Sequence, residues 1–381
     1  MIAHLPSQAA HVDAPTELRA ATRDDVSALE QLEARCFDSD RLSRRSFRRL
    51  IDSETASLLV AMTEGRLAGY VCVLYRRGTA LSRIYSIAVD PDFQGRGIAH
   101  ALMARSEADA LAHGCTHTRL EVRPDNAVAI RFYKGLGYRQ FAAVDDYYAD
   151  HSPALRLEKR IRHPRQETRR SIPFYAQTTD FTCGPASLLM AMAALDSERA
   201  LERTEELRLW REATTIFMTS GHGGCGPHGL ALAAHNRGFG VTLVVNQAGP
   251  LFLDSVRDPD KKAVMTLVHE DFERQLATTP VQVQTGALGA ADLAGHLEAG
   301  RIPLVLISSW RMNGNKAPHW VTVVAADAHC LYVHDPDVGD ELEASATDNA
   351  WLPIPRAQFE RMARFGRQGL RASLIIGPAA I

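Results

Sequence analysis

The first part of the chain alternates between strand-like and helix-like patterns of apolar residues. Apolar residues at every second position predict strands, and apolar residues three or four positions apart predict helices. The predicted strands are 56–62, 67–76, 81–89 and 118–122, and the predicted helices are 26–36, 98–113 and 127–136. Asp24 is the expected N-cap of the first of these helices. This alternation predicts a mixed α/β domain over residues 17–160.

A second pattern begins at Ile172 and extends to residue 381. Helices are predicted at 183–195, 229–237 and 359–365, and strands at 241–245, 303–308, 320–325, 330–333 and 372–376. Between the two patterns, the arginine-rich stretch 161–171 predicts a solvated linker, with a nucleic-acid-binding arm as the alternative. Residues 1–16 predict a flexible tail. The expected organisation is therefore a tail, an α/β domain, a basic linker and a second domain over 172–381.

Composition narrows the functional classes. The chain has 381 residues, and at about 150 residues per domain this length predicts two or three domains. The net charge of −2 provides no field toward nucleic acid or membrane, so neither partner is expected. Six cysteines are scattered without close pairs, and no apolar run approaches the length of a membrane span. These features predict a reduced, cytoplasmic protein.

The turn between the strand 81–89 and the helix 98–113 carries two glycines. Its sequence, Gln94-Gly95-Arg96-Gly97-Ile98-Ala99, leads directly into the helix. N–H groups at a helix N-terminus bind phosphate, and glycine lets the backbone approach it closely. The third glycine of a dinucleotide-binding turn is missing, and no Gly-Lys-Ser/Thr of a P-loop follows. Taken alone, the turn predicts a phosphate-binding loop.

With its flanking segments, this loop resembles the GNAT superfamily of acetyltransferases. Gln94-x-x-Gly97-x-Ala99 fits the family's pyrophosphate signature, and Leu120-Glu121-Val122-Arg123 and Phe132-Tyr133 fit its second half. The resemblance spans residues 17–160 and implies a mixed sheet with flanking helices and acetyl-CoA as co-substrate. The implied cofactor-binding residues are Ile87, Val89, Gln94, Gly95, Arg96, Gly97, Ile98, Ala99, Asn126 and Tyr133.

Within the superfamily, the segment looks most like the ribosomal-protein alanine N-acetyltransferases. That resemblance implies Glu121 as a general base that acts through water on the acceptor amine, and Tyr133 as the acid that protonates the departing thiolate. A backbone N–H of the strand 81–89 is expected to polarise the thioester carbonyl. The alternatives are a solvated strand residue for Glu121 and a core aromatic for Tyr133.

The second domain carries residues suited to nucleophilic catalysis. Cys183 begins the apolar helix 183–195, where the helix dipole stabilises a thiolate, and Gln177 six residues earlier can lend an N–H to an oxyanion. His319 begins a strand, and Asp335 follows the next strand, where a carboxylate can orient an imidazole. Taken alone, Cys183 would be a buried structural cysteine.

The order Gln177, Cys183, His319, Asp335 resembles the papain-like cysteine peptidases that cleave double-glycine leader peptides in bacteriocin exporters. The resemblance covers residues 172–377 and implies a papain-like α+β fold, with these four residues as oxyanion donor, nucleophile, general base and orienting carboxylate. Thr182 stands where those enzymes usually carry aspartate. The interval of 136 residues from Cys183 to His319 is longer than expected, which predicts an insertion between Val245 and Ala299.

An alternative use of the cysteine is metal binding. His222, Cys225 and His228 could form a zinc site with Cys183. The glycines of the segment 221–226 instead favour a loop that lines a cleft, and no metal is expected.

The leading hypothesis is a bifunctional enzyme that acetylates an amine of a peptide or protein N-terminus and cleaves a peptide amide. A peptide or protein is the expected partner, and the oligomeric state is left open. In the alternatives, the cysteine domain only binds a peptide for the acetyltransferase, or it transfers an acyl group without hydrolysis.

Overall fold

The structure is a computed structural model that describes residues 16–37, 40–148, 150–162, 167–215, 222–314, 317–338 and 349–378. The predicted tail, apart from Thr16, and residues 163–166 of the predicted linker lie outside this set, as do Gly221 and residues 379–381. The chain divides into two compact units, Met1–His163 and Pro164–Ile381. No described helix combines the length and apolar character needed to cross a bilayer.

The first unit is built on a seven-stranded sheet within the described residues. Its strands are β1 (Glu17–Ala20), β2 (Ala56–Thr63), β3 (Arg66–Tyr75), β4 (Leu81–Val89), β5 (His117–Val122), β6 (Arg139–Val144) and β7 (Ala154–Arg160). Its helices are α1 (Val26–Cys36), α2 (Arg44–Ile51), α3 (Ile98–Ala112) and α4 (Ala127–Gly135). The strand order is β1-β2-β3-β4-β5-β7-β6, and the described pairs are antiparallel except for the parallel pair β4 and β5.

Apolar residues on both faces of this sheet hold the helices. Successive residues of a strand point to opposite faces. Tyr70 and Cys72 of β3 are therefore buried with residues of α1 and α2, and Val71 and Val73 are buried with residues of α3 and α4. Gly69 permits α3 to pack closely on the sheet, because a Cβ there would lie 3.2 Å from Cδ1 of Leu102 and 3.3 Å from Cγ2 of Ile98.

The second unit also has a mixed sheet. Its strands are β8 (Glu167–Arg169), β9 (Gly240–Val245), β10 (Gln282–Thr285), β11 (Ile302–Ser308), β12 (Pro318–Asp327), β13 (Cys330–His334), β14 (Leu352–Pro355) and β15 (Ala372–Gly377). Its helices are α5 (Cys183–Leu195), α6 (Arg203–Ala213), α7 (Pro227–His235), α8 (Pro259–Leu276), α9 (Ala290–Glu298), α10 (Trp310–Asn313) and α11 (Arg356–Met362). The order is β10-β9-β15-β11-β12-β13-β14, with β8 beside β12.

The fold class expected from the sequence is confirmed: both units combine a mixed sheet with helices, α/β in the first and α+β in the second. The apolar run of β15 lies between β9 and β11 and pairs with both, although β15 follows all the other described strands in sequence. Strands distant in sequence thus form one continuous sheet. The strand that joins β9 to β11, β15, begins more than 120 residues after the end of β9.

Two predictions about local structure are wrong. The predicted linker does not extend to residue 171, because Glu167–Arg169 form β8 and pair with Ala325–Asp327, and Arg170 donates to the carbonyl oxygens of Leu297 and Glu298. The arginine-rich stretch therefore contains the strand β8, whose backbone pairs with β12 in the sheet of the second unit.

Asp24 is also not the N-cap expected before α1. The first turn, Arg23–Asp25, is a 3-10 turn that is capped by Thr22. The Asp25 carboxylate accepts a hydrogen bond of 2.7 Å from the Thr22 N–H, which forms a capping box whose N-cap lies two residues before the predicted one. The shift leaves Asp24 exposed to solvent.

Candidate active sites

The glycine-rich turn of the first unit forms the N-terminus of α3. Gly95 and Gly97 both have φ of +77°, a left-handed conformation that strains residues with a Cβ. Gly97 is the N-cap of α3 and offers no side chain to the first N–H groups of the helix. These groups, including those of Ile98 and Ala99, are therefore suited to bind an anion with the positive end of the helix dipole.

The side chain of Arg96 contacts Glu64 and Phe93. Its Nη1 lies 3.2 Å from Oε1 of Glu64, and its guanidinium carbon lies 5.1 Å from the centroid of the Phe93 ring. Gln94, at the start of the turn, is half-buried. The Arg96 side chain thus braces the turn against the Glu64-Gly65 hairpin.

The strands β4 and β5 separate next to this turn. Their parallel pairing runs from Leu81 and His117 to Arg83 and Arg119 and is not described beyond that point, although both strands continue. The separation opens the sheet on the side of β4 that leads to Val89. A narrow opening between strands can admit an extended molecule whose polar groups bond to the strand backbone.

Tyr133 lies beside this opening. Its ring is buried in the core cluster that also contains Ile87, Val89 and Ile98, and its hydroxyl has no hydrogen-bond partner within the described structure. Burial, followed by the nearby Tyr148, raises the pKa of Tyr133 above its usual value. A buried hydroxyl without a partner is costly, so this group fits a ligand atom that is brought in with the cofactor.

Glu121 of β5 is held by two arginines. Oε1 accepts hydrogen bonds of 2.9 and 2.8 Å from Nε and Nη2 of Arg156, and Oε2 accepts one of 2.7 Å from Nε of Arg83. Arg83 also donates to the hydroxyl of Tyr147. A carboxylate has about four lone-pair positions, so one position on Oε2 is left for a water molecule. The alternative of a solvated strand residue is excluded, because Glu121 is only 4% exposed.

Asn126 caps the N-terminus of α4. Its side chain accepts a hydrogen bond of 3.0 Å from the N–H of Ala129 and is the N-cap of the helix that carries Tyr133. Asn126 therefore fixes the position of Tyr133 in the sheet opening through the first turn of α4.

The second unit brings three of the predicted site residues together. Cys183 is the first residue of α5, His319 is the second residue of β12, and Asp335 directly follows β13. Nε2 of His319 lies 2.6 Å from Oδ1 of Asp335, and all three residues are buried, with 4–8% exposure. The Cys183 side chain is close enough to the same imidazole to interact with it electrostatically. Because Nε2 faces Asp335, Nδ1 is the ring nitrogen left for the thiol.

The charge of this cluster favours a protonated imidazole. Burial alone would lower the pKa of His319, but the Asp335 carboxylate and the Cys183 side chain raise it well above its usual value. A second buried cysteine, Cys225, has its pKa raised well above the usual value by burial and by the nearby Cys183. Cys225 is therefore a thiol at neutral pH.

Cys183 and His319 are fixed relative to each other by a reciprocal contact between α5 and β12. The Ser187 hydroxyl donates to the carbonyl oxygen of Trp320 at 3.1 Å, and the Thr322 hydroxyl donates to the carbonyl oxygen of Ser187 at 3.1 Å. A Cβ at Gly184 would meet Trp320 Cδ1 at 3.2 Å, so glycine allows the helix to approach the strand.

Gln177 also reaches this end of the sheet. Its N–H donates to the carbonyl oxygen of Pro336 at 2.9 Å, which places Gln177 next to Asp335. Its Oε1 is buried and has no hydrogen-bond partner among the described residues. Rotation of the amide by half a turn would present an N–H in the same place, as an oxyanion donor requires.

Sequence reasoning missed Glu206, which holds the segment before Cys183. This carboxylate, 0% exposed, accepts hydrogen bonds from the hydroxyls of Tyr175, Thr178 and Thr182 and from the Thr178 N–H, at 2.5–2.9 Å. The sequence signal for Glu206 is its position three residues before Leu209, on the helix face whose other buried residues are apolar.

The four residues considered as alternative zinc ligands do not lie together in the structure. His222 stacks on Phe181 with ring centroids 4.6 Å apart, and His228 packs against His269. Among the described residues, one group of potential metal ligands lies close together, and it contains His228 without His222, Cys225 or Cys183. The residues of the glycine-rich segment therefore do not share one site.

Comparison with protein families distinguishes the two units. A family model described as "Peptidase_C39 like family" matches residues 172–377, more than half of the chain. A model described as "Acetyltransferase (GNAT) family" matches residues 26–138. The combination of domains expected from the sequence is thereby confirmed.

One sequence relative and two solved structures are similar to part of the chain. The acetyltransferase ECA0875 of Pectobacterium atrosepticum is 36% identical over 129 residues, which are 32% of this chain and 86% of the relative. The structure of the Escherichia coli ribosomal-protein-S18-alanine N-acetyltransferase is 24% identical and covers 39% of this chain and 96% of its own, with a TM-score of 0.36. Arabidopsis thaliana NAA60 in complex with acetyl-CoA is 21% identical and covers 39% and 99%, with a TM-score of 0.35.

Proposed function

Because the chain belongs to the Peptidase_C39 like family and carries a GNAT acetyltransferase domain ahead of that region, we propose that it is a bifunctional enzyme that acts on peptides. The first domain transfers an acetyl group from acetyl-CoA to a peptide or protein N-terminal amine. The second domain uses Cys183 to cleave a peptide amide. The observation that carries the second activity is the buried arrangement of Cys183, His319 and Asp335.

The residues of the first unit fit acetyl-CoA. The free N–H groups at the start of α3 would hold the pyrophosphate, and the opening between β4 and β5 would admit the acyl arm. Acetyl-CoA supplies an activated thioester. Tyr133, whose buried hydroxyl has no protein partner, is placed to donate its proton to the departing thiolate.

Glu121 is the proposed base for the amine. Its position between Arg83 and Arg156 fixes the carboxylate and leaves one lone-pair position, so it acts through an ordered water rather than by direct contact. That water would accept the proton of the attacking amine while the amine nitrogen bonds to the acetyl carbon and the C–S bond breaks. The tyrosines Tyr147 and Tyr148 pack beside this carboxylate and would line the acceptor side.

The chemistry of the second unit follows from the raised pKa of His319. The imidazolium stabilises the Cys183 thiolate, which attacks the amide carbonyl carbon, and the Gln177 amide stabilises the oxyanion. His319 then gives its proton to the leaving amine as the C–N bond breaks. A water molecule, deprotonated by His319, hydrolyses the thioester and releases the acid and the free thiol. Asp335 holds the imidazole in place throughout.

One experiment tests both activities. The full chain is incubated with acetyl-CoA and a library of peptides with varied N-termini, and the products are weighed by mass spectrometry. We expect acetylated peptides from the wild type and from Cys183→Ala, and cleaved peptides with a net gain of water from the wild type and from Tyr133→Phe. Cys330→Ala, which changes a buried cysteine of β13, is the control for thiol removal.

The outcomes separate the alternatives. Products that carry a new acyl adduct without a gain of water would assign acyl transfer to Cys183. Peptide that is retained by the chain but never cleaved, together with a Cys183 that resists alkylation, would reduce the second domain to a binding module. Absence of any acetylated product would refute the proposed peptide acceptor.

A further inference from the structure

A third cluster of ionisable side chains lies in the second unit and uses none of the residues of the proposed catalytic sites. His228 stands in the first turn of α7, and His269 and Glu273 are one turn apart on α8. One imidazole nitrogen from each histidine and one carboxylate oxygen lie within 4.8 Å of one another. The two helices thus bring together residues that are 41 positions or more apart in the chain.

The contacts inside this cluster are close but not hydrogen-bonded. Nε2 of His269 lies 3.2 Å from Oε1 of Glu273, yet this buried nitrogen has no hydrogen-bond partner within the described structure. The rings of His228 and His269 meet edge to face, with centroids 4.6 Å apart. Around a tetrahedral Zn²⁺ with bonds of 2.0–2.1 Å, neighbouring ligand atoms are about 3.3 Å apart. The spacing of His269 and Glu273 is that of two ligands of one ion.

The surroundings provide room for one small occupant. Both histidines line a cavity of about 20 Å³ whose other walls are largely apolar, including Leu251, Met265 and Phe272. A space of this size holds a single water molecule or ion. His228 and His269 are 4% and 8% exposed, whereas half of the Glu273 side chain reaches solvent. Glu273 is therefore the member of the cluster that solvent reaches.

We propose that His228, His269 and Glu273 bind one Zn²⁺ ion, with a water molecule in the fourth position. Two imidazoles and one carboxylate match the preference of zinc, whereas Ca²⁺ and Mg²⁺ favour sites made of oxygen alone. The ion ties α8 to the start of α7, and α7 begins two residues after Cys225, whose carbonyl oxygen accepts a hydrogen bond from Trp320 beside His319. Metal binding thereby fixes a segment that packs against the cysteine site.

The test is a titration of the metal-stripped full chain with Co²⁺, whose visible absorption reports coordination geometry, followed by displacement with Zn²⁺. We expect one Co²⁺ per chain with the intense spectrum of a tetrahedral site. Glu273→Gln should weaken binding at least tenfold, and His269→Gln should abolish it. The matched controls Glu270→Gln on α8 and His235→Gln on α7 should bind as the wild type does.

Folding is checked by circular dichroism of each metal-free variant, and the half-exposed Glu273 makes its variant the decisive one. The proposal is overturned if the wild type binds no Co²⁺, or if Glu273→Gln and Glu270→Gln bind it equally well. A sulfur-to-cobalt charge-transfer band would also overturn it, because the ion would then be bound by cysteine. If the wild type binds no Co²⁺, we conclude that water is the sole occupant of the cavity.

Discussion

The Thr182 hydroxyl donates a hydrogen bond of 2.5 Å to Oε1 of Glu206, and this contact lies directly before the proposed nucleophile. Thr182 departs from the aspartate that the resemblance to leader peptidases implies. Because Glu206 already brings a buried carboxylate to this place, an aspartate at 182 would face a second negative charge. A hydroxyl at 182 instead satisfies Glu206 and anchors the start of α5.

Glu206→Gln is the first prediction. The amide would turn an N–H₂ group toward donors that now point at the carboxylate, and a buried group left unsatisfied costs about 1–3 kcal/mol. We expect a corresponding loss of unfolding free energy in urea and slower alkylation of Cys183 by iodoacetamide. Glu212→Gln, on the surface of the same helix, is the control. Equal alkylation rates in both variants would show that Glu206 does not position Cys183.

Asp335→Asn should lower the pKa of His319. Burial favours the neutral imidazole, and the Asp335 carboxylate is a main group that opposes it. Loss of an adjacent opposite charge typically changes a pKa by about 1–3 pH units. NMR titration of the His319 ring protons measures the change, with Asp337→Asn as the neighbouring control. An unchanged pKa in Asp335→Asn would contradict the assignment of Asp335 as the orienting carboxylate.

The same pair predicts how stability depends on pH. The pKa of His319 is higher in the folded than in the unfolded chain, so the folded state binds more protons between the two values. The stabilisation is complete below the unfolded pKa of about 6.5 and is lost as the pH rises through the folded pKa. Urea denaturation across this range should show a falling difference in unfolding free energy between the wild type and Asp335→Asn. A constant difference would refute the coupling.

The variant Tyr133→Phe removes the hydroxyl proposed as the acid and keeps the buried ring. Removal of a buried hydroxyl without a partner leaves the fold as stable as before or slightly more so. Loss of the acid should reduce the turnover of acetyl transfer by about 10²–10⁴-fold, with little change in the KM for acetyl-CoA. Tyr138→Phe, which alters the ring that packs on Tyr133, is the control. Similar turnover in both variants would make Tyr133 a core residue.

Gly97→Ala and Gly114→Ala form a matched pair at the two ends of α3. Both glycines have positive φ, +77° and +83°, so a methyl group strains each by about 1–2 kcal/mol. Thermal denaturation should register similar losses. Only Gly97 lies at the phosphate-binding end, so only its variant should raise the KM for acetyl-CoA. A KM that rises equally in both would point to general loss of structure.

The sequence predicted the elements whose buried residues are apolar. Alternation in β4 and the continuous apolar run of α5 are typical of buried elements, and glycines and prolines marked their ends. The helices α6 and α8 were not predicted, and each has one polar residue among its buried positions. Glu206 lies on α6 and His269 on α8, and a pattern of apolar residues does not identify buried polar residues of this kind.

The candidate sites were predicted to the same extent. The order of Cys183, His319 and Asp335 along the chain was enough to expect their meeting, because each lies at the end of a recognisable element. The contact of Glu121 with Arg156 could not be expected, because Arg156 faces it across a strand pair, and β7 was not predicted. Register across a sheet depends on tertiary packing that a single sequence does not display.

The place of β15 between β9 and β11 has a consequence for the order in which the protein matures. During synthesis, the first unit is complete when the ribosome has yet to translate most of the second, and domains fold as units from the N-terminus. The second sheet cannot join β9 to β11 until β15, which pairs with both, has been synthesised. The first unit can therefore fold before the strands that carry His319 and precede Asp335 belong to a complete sheet.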